Sequence, residues 1–241
     1  MFAVFKREFF GFLNSMVAYM AIGIFLLVSG LLLWFFPDTS LLEYGYAELG
    51  GFFSLVPYLF MFLIPAITMR SFAEERREGT YELLVTKPIT IWQIIWAKFL
   101  ACFALVILAL LPTLIYYYTL YQLGFPKGNI DAGEVIGSYL GLILLGGCFT
   151  SIGIFASTLT KNQVVAFVIC VALCAFAFLG FDYSSEFLSL QNIGSTIKSI
   201  GINQHYQSIS RGVMDTRDLT YFLSFIAVFL MGSKLVMGGR G

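Results

Sequence analysis

Charge is scarce in this sequence: 12% of its 241 residues are Asp, Glu, Lys or Arg, while 59% are hydrophobic. Soluble domains carry about 25% charged residues and roughly 45–50% apolar ones, so a soluble globular fold is excluded. Fourteen basic and fourteen acidic residues cancel, which leaves no overall charge to recruit nucleic acid. Histidine occurs once, as His205 within Asn203-Gln204-His205-Tyr206, with no neighbours spaced as metal ligands, and no role is assigned to it. The four cysteines, Cys102, Cys148, Cys170 and Cys174, all lie inside apolar runs without C-x-x-C spacing. They read as small packing residues instead of disulfides or metal ligands. The chain also lacks G-x-x-x-x-G-K-[ST], G-x-S-x-G and H-E-x-x-H, so it is not expected to be an enzyme, and no cofactor or metal is expected on it.

Long apolar runs take the place of those motifs. The first, Met16 to Phe36, is about as long as a bilayer span, and Pro37-Asp38-Thr39-Ser40 follows it where a signal peptide would carry small residues. Further runs cover roughly Phe52 to Met69, Phe99 to Tyr121, Val135 to Leu159, Val164 to Phe181 and Leu219 to Met237. Each span takes about 20 residues, so six spans leave no room for a separate catalytic domain, and residues 1–241 are expected to form one integral membrane domain.

The few charges are informative by position. If the N-terminus is cytoplasmic, Lys6, Arg7, Arg70, Arg76, Arg77, Lys87, Lys98, Lys161, Lys234 and Arg240 share the inner side, against Lys127, Lys198, Arg211 and Arg217 outside. The positive-inside rule then puts both termini in the cytoplasm. Lys98 and Lys234 lie close enough to helix ends to snorkel, which leaves the span interiors with hydroxyls and amides only.

Ahead of the first span, Phe2, Phe5, Phe9, Phe12 and Leu13 recur at helical spacing around Lys6, Arg7 and Glu8. This pattern suggests a short interfacial helix or, alternatively, the first turns of a tilted first span; either way it carries no chemistry. Pro57 and Pro65 disfavour a straight second span and point to kinks, either beside a cavity or as packing kinks without one. Gly137 and Gly141 form a G-x-x-x-G pair that permits close helix approach. Leu190, Ile193, Ile197 and Ile200 sit at helical spacing in a stretch too short to span, which predicts a re-entrant or surface helix before span 6.

The richest stretch is Met69 to Thr90, with seven charged residues from Glu74 to Lys87. Ser71 with Glu74 predicts a capping box that starts a charged helix, and Gly79 suits the left-handed residue that stops it. Thr80 can cap a second short helix, Lys87-Pro88 breaks it, and Thr90 with Gln93 predicts another capping box, opening a helix through Trp92, Trp96 and Lys98 into span 3. Both tryptophans suit the headgroup level.

Those residues carry a resemblance. E-x-R-x-G-T-x-E-x-L-x-x-x-P-I, present here as Glu75, Arg77, Gly79, Thr80, Glu82, Leu84, Pro88 and Ile89, resembles the signature of ABC-2 type transporter permeases. The segment from Arg211 and Gly212 through Asp215, Arg217 and Asp218 is similar to the R-G-V-x-D-x-R-D stretch before that family's last span. Within the family the chain most resembles the gliding-motility-associated permease subunits of GldF type.

The resemblance implies an all-α membrane fold with six transmembrane helices, an N-terminal interfacial helix and a cytoplasmic coupling helix pair between spans 2 and 3. It implies the permease half of an ATP-driven transporter in the bacterial inner membrane, with ATP and Mg held by separate cytoplasmic ABC ATPase subunits. A second permease, either a GldG-like chain or a second copy, is the other implied partner besides the lipid bilayer. The coupling residues are then Glu74, Glu75, Arg76, Arg77, Glu78, Gly79, Thr80, Tyr81, Glu82, Leu83 and Leu84. Two other classes stay open at this point: an ion-coupled carrier or channel, which ionisable residues deep in the spans would favour, and a membrane scaffold without transport.

Overall fold

A computed structural model describes residues 1–35, 49–80, 89–124, 127, 130–188, 198–212 and 215–238. Every regular element among them is helical. Helix α1 is Phe2–Leu13, and α2, Met16–Trp34, is the first long apolar helix. Asn14 and the extended Ser15 separate the two, so α1 is a helix of its own and not the first turns of α2.

Helix α3, Gly50–Thr68, keeps both Pro57 and Pro65 within helical backbone. Met69 holds helical dihedrals and its N–H donates to Pro65 O at 2.9 Å, so α4, Arg70–Glu78, follows α3 almost without interruption. That continuity overturns one expectation. Ser71 lies inside the helix, where the position before it is already helical, and it cannot act as a cap; no side chain caps α4. The Ser71 hydroxyl instead meets the Cys102 thiol at 3.2 Å. At the other end Gly79 stops the helix at φ 72°, in the left-handed conformation that its sequence position predicts.

The Thr90–Gln93 capping box forms with both reciprocal bonds at 3.3 Å and opens α5, Ile91–Leu110. A 3₁₀ turn at Leu111–Thr113 leads into α6, Leu114–Leu123. Asp131 caps α7, Ala132–Leu159, and Asn162 caps α8, Gln163–Ala175. A π-helical turn, Phe176–Gly180, and α9, Phe181–Leu188, extend α8. Short α10, Ile202–Ser210, precedes the last long helix, α11, Thr216–Gly238.

Six stretches are long and apolar enough to cross a bilayer: Met16–Trp34, Gly50–Glu78, Ile91–Leu123, Ala132–Leu159, Gln163–Ser185 and Thr216–Gly238. They match the six runs read from the sequence, and their alternating direction gives the bundle two ends. One end gathers α1, α4 and the start of α5; the other gathers α10 and the starts of α3, α7 and α11.

Helix α7 is the axis of the bundle. In its most apolar stretch 78% of the residues are buried, against 22% in α2 and α11, and it packs on α3, α4, α5, α8, α10 and α11. Glycine makes this possible: a Cβ on Gly153 would sit 2.1 Å from Thr68 Oγ1 of α3. With no aqueous driving force between helices in lipid, such close backbone approach supplies the packing that holds spans together. The outer helices turn Ile24, Leu27, Leu223 and Leu235 outward, as a lipid-facing surface does. All four cysteines are buried and free.

Candidate functional site

Around α4, three elements distant in sequence deliver charges to one place. Arg7 of α1 donates to Glu8 Oε1 at 2.6 Å and to Glu75 Oε1 at 2.9 Å. Lys98 of α5 reaches the same two carboxylates, at 3.2 Å to Glu8 Oε2 and 3.0 Å to Glu75 Oε1. The four residues therefore close a ring of alternating sign, with two positive and two negative charges. Its members are buried to different depths, from 53% exposure at Arg7 through 17% and 12% at the two glutamates to 1% at Lys98.

Burial of Lys98 corrects the expectation that it snorkels, and through Arg7 and Glu8 helix α1 takes a structural part in the ring. The Lys98 ammonium donates to Ser71 O at 2.6 Å and lies 5.0 Å from the centre of the Phe72 ring. A buried ammonium is tolerable only when paired and hydrogen-bonded, and here carboxylates, a carbonyl and an aromatic face surround it. At Arg7 burial works against the charge and the two glutamates outweigh it, so its pKa rises above the ordinary value.

A second pair flanks the ring: Arg70 bonds both oxygens of Glu74, at 2.8 and 2.9 Å, and also reaches Ser15 Oγ at the start of α2. A pocket of about 350 Å³ lies between these groups, bordered by Gly11, Phe12 and Glu78. Arg76 turns to the other side and donates to the backbone oxygen of Thr158 at the end of α7. Helix α4 is thus tied to α1, α2, α5 and α7 by its own charges. Arg77, Glu78, Gly79 and Thr80 remain exposed, and Thr80 Oγ1 donates back to Glu75 O at 3.4 Å. Tyr81, Glu82, Leu83 and Leu84, with the second short helix expected there, lie outside the described residues.

At the other end the second motif builds a turn and a cap. Gly212 adopts φ 80°, and Arg211 Nε donates to Gln207 O at 3.2 Å. Asp215 accepts from the backbone of Arg217 at 3.0 Å at the start of α11. Asp218 is buried and meets His205 Nδ1 at 2.6 Å, while His205 Nε2 faces Ser199 O at 3.0 Å and the ring stacks on Tyr221 at 4.0 Å. His205 is therefore a clamp between α10 and α11, a structural role the sequence reading left unassigned. The predicted helix over Leu190 to Ile200 falls mainly outside the described residues; α10 begins just after it.

The G-x-x-x-G pair does what close-packing glycines do. A Cβ on Gly137 would lie 2.7 Å from Ile209 O, and one on Gly141 would lie 3.2 Å from the Tyr206 ring. Two hydrogen bonds fix α10 further: Ser138 Oγ to Ser210 O at 3.1 Å, and Tyr206 OH to Phe53 O at 2.7 Å. Burial pushes the Tyr206 phenol up, which keeps it a donor.

One signal pointed to the buried ring. Ile95, Lys98, Cys102 and Leu105 follow helical spacing, and all but Lys98 are apolar, so Lys98 had to share the buried face. No local pattern names its partners, because Glu8 and Glu75 come from helices that meet only in the folded chain.

No curated protein matches the chain. The model of the family described as ABC-2 family transporter protein matches residues 40–237. That stretch runs from before α3 to the end of α11 and includes both motifs. Six apolar helices and this match identify the chain as a multi-pass membrane protein belonging to the ABC-2 family of transporter proteins.

Proposed function

We propose that this chain is the permease subunit of an ATP-driven transporter, with the α4 end of the bundle in the cytoplasm. A cytoplasmic ATPase docks there on the exposed tip of α4 and the residues after it, from Arg77 to Leu84. ATP and Mg belong to that partner, and the chain itself is non-catalytic. Both termini are then cytoplasmic, in a bacterial inner membrane, and α1 lies along the interface with Phe2 exposed to lipid. Export as the direction, gliding motility as the setting, and a GldG-like chain or a second copy as the other permease are expectations from the sequence resemblance.

The observation that carries this reading is the ring of Arg7, Glu8, Glu75 and Lys98. Helix α4 prolongs a membrane-spanning helix, and the ring locks its base to α1 and α5, so a push on the exposed tip is transmitted to three elements together. A solvated loop has no need of a buried ion-pair ring. The position of Lys98 also bears on the carrier alternative: it is the one basic residue buried among the described spans, and both its carboxylate partners lie at the bundle end, away from any midplane site.

The test is reconstitution with the ATPase that co-purifies. Glu75→Gln is expected to keep the permease folded and ATPase-bound while ATP hydrolysis no longer responds to transport conditions. Unchanged coupling in that variant would remove the lever from the mechanism. Hydrolysis by the pure permease would overturn the division of labour.

A further inference from the structure

His205 is held between two oxygens, and their chemistry fixes how many protons the contact needs. Its Nε2 lies 3.0 Å from Ser199 O, a carbonyl that can only accept, and its Nδ1 lies 2.6 Å from Asp218 Oδ1. An ionised carboxylate also only accepts, whereas a neutral imidazole has one N–H to give. Both bonds together therefore need two protons on the pair. Either an imidazolium faces a carboxylate, or a neutral ring donates from Nε2 and accepts at Nδ1 from a protonated Asp218. With one proton fewer, two acceptors compete for a single N–H and one bond is lost.

The surroundings decide which bond that is. The Asp218 side chain is 8% exposed, against 20% for His205, and its Oδ2 is buried without a hydrogen bond among the described residues. A buried carboxylate left unpaired is costly, and a charge-assisted bond is the stronger one, so the remaining N–H stays on Nδ1 and Ser199 O is released. The other titratable group facing the ring is Tyr221 of α11, stacked on it at 4.0 Å, an aromatic face that favours a cation. Around it, Lys198 precedes Ser199 in the chain, Asp182 of α9 accepts from Asn203, and Glu134 of α7 borders the pocket that α10 also lines.

Helix α10 is attached differently along its length. Its second half is seated on α7, where Tyr206 and Ile209 meet Gly141 and Gly137, and Tyr206 is tied to Phe53 O. Its first half and the residues before it depend on α11, through the two bonds of His205 and through Tyr221 OH, which donates to Ile200 O at 2.7 Å. Asn203, in that first half, lines the pocket of about 500 Å³ between α3, α7 and α10. We propose that the His205–Asp218 pair is a proton-operated latch. With two protons it holds Ser199 and the first turn of α10 against α11; with one it frees Ser199 and loosens that turn beside the pocket. The proton exchanges with water through the more exposed ring, so the latch responds to acidity on that side of the membrane. It is closed in acid and opens as pH rises, and it needs no ATPase.

The experiment combines two measurements on the full chain in nanodiscs between about pH 5 and 8, the range in which histidine changes its charge. His205 is the single histidine of the sequence, so nitrogen NMR with isotopically labelled histidine and a histidine-free tag reads its ring alone. Hydrogen exchange, divided by the intrinsic rate at each pH, reads the backbone amides of residues 201–208. Protection of those amides is expected to fall about five-fold as pH rises, as the loss of one hydrogen bond does, with the same midpoint as the change at the ring nitrogens. Asp218→Asn is nearly isosteric and uncharged; its side-chain amide can donate to Nδ1 of a neutral ring whose Nε2–H keeps Ser199 O. That variant is expected to hold full protection across the range. Ring titration without a change in protection, two different midpoints, constancy of both signals, or an equal pH response in Asp218→Asn would each overturn the latch.

Discussion

The two ends of the bundle solve the same problem, holding a short helix against the spans, by different physics. At one end α1 and α4 are joined by the ring of Arg7, Glu8, Glu75 and Lys98. At the other, α10 is held by glycine contacts and by hydrogen bonds to backbone carbonyls. Glycine packing is short-ranged and admits one geometry. Ion pairs act over longer distances and tolerate small displacements, so the charged end is the one suited to move under load, and the glycine end to hold a site still.

The strongest way to break the comparison is Lys98→Met. Removing one partner of a buried ion pair leaves the other charges uncompensated, and the typical cost is about 3–5 kcal/mol. The variant is expected to melt far below the parent in detergent. Adding Glu8→Gln and Glu75→Gln should recover most of the loss, because no buried carboxylate is then stranded and the one remaining charge, on Arg7, is half exposed to solvent. If Lys98→Met melts with the parent, the ring does not hold that end.

Gly137→Val probes the other end. Its Cβ would stand 2.7 Å from Ile209 O, a backbone atom that cannot swing aside. Overpacking costs typically about 1–3 kcal/mol, and the loss should be the same at low and high salt. Arg7→Ala, at the exposed edge of the charged ring, should instead show a loss that shrinks as salt is raised, since surface charges are screened within about 8 Å at physiological ionic strength. Equal salt dependence of the two variants, followed by thermal melts, would erase the distinction.

How much of this was legible beforehand divides along the same line. Local rules found the six spans, the Thr90–Gln93 cap, the left-handed Gly79 and the Gly137–Gly141 contact face, because each depends on residues a few positions apart. The same rules misread Ser71 as a cap. They could not register that α3 continues through Met69, since a capping box matters only where the preceding residue is extended. The ring was invisible for a related reason: residues 8, 75 and 98 meet only after α1 folds back under the spans. His205 likewise gains its partner Asp218 across the turn at Gly212. Of the coupling residues read from the sequence, Glu75 and Arg76 are engaged with neighbouring helices, Glu74 pairs with Arg70 of its own helix, and Arg77 to Thr80 form the exposed tip.

A smaller effect on stability, and a sharper one on function, is expected at Gly79. Among the described residues nothing lies within 4 Å of the position a Cβ would take there, so space is not the obstacle. The backbone is: φ is 72°, and the left-handed conformation costs an ordinary residue roughly 1–2 kcal/mol. Gly79→Val should therefore fold, with a modest fall in melting temperature, while the chain leaves α4 in a new direction. ATPase stimulation in the reconstituted complex should drop. Full coupling in Gly79→Val would mean that the direction of this turn is immaterial.

The smallest expected effects come from charge reversals at exposed positions, one at each end: Arg77→Glu and Lys127→Glu. Both residues are exposed, and surface substitutions of this kind usually stay within about 0.5 kcal/mol. Neither should move the melting temperature, which removes folding as an explanation for any difference between them. Binding of the ATPase is then the discriminating readout. Arg77 stands at the free tip of α4, so its reversal should weaken association, most at low salt where charges act over longer distances. Lys127 lies in the connection after α6, at the opposite end, and its reversal should leave association and its salt dependence unchanged. If Lys127→Glu weakens ATPase binding and Arg77→Glu does not, the bundle is inserted the other way up, and the glycine-packed end is the one that meets the partner.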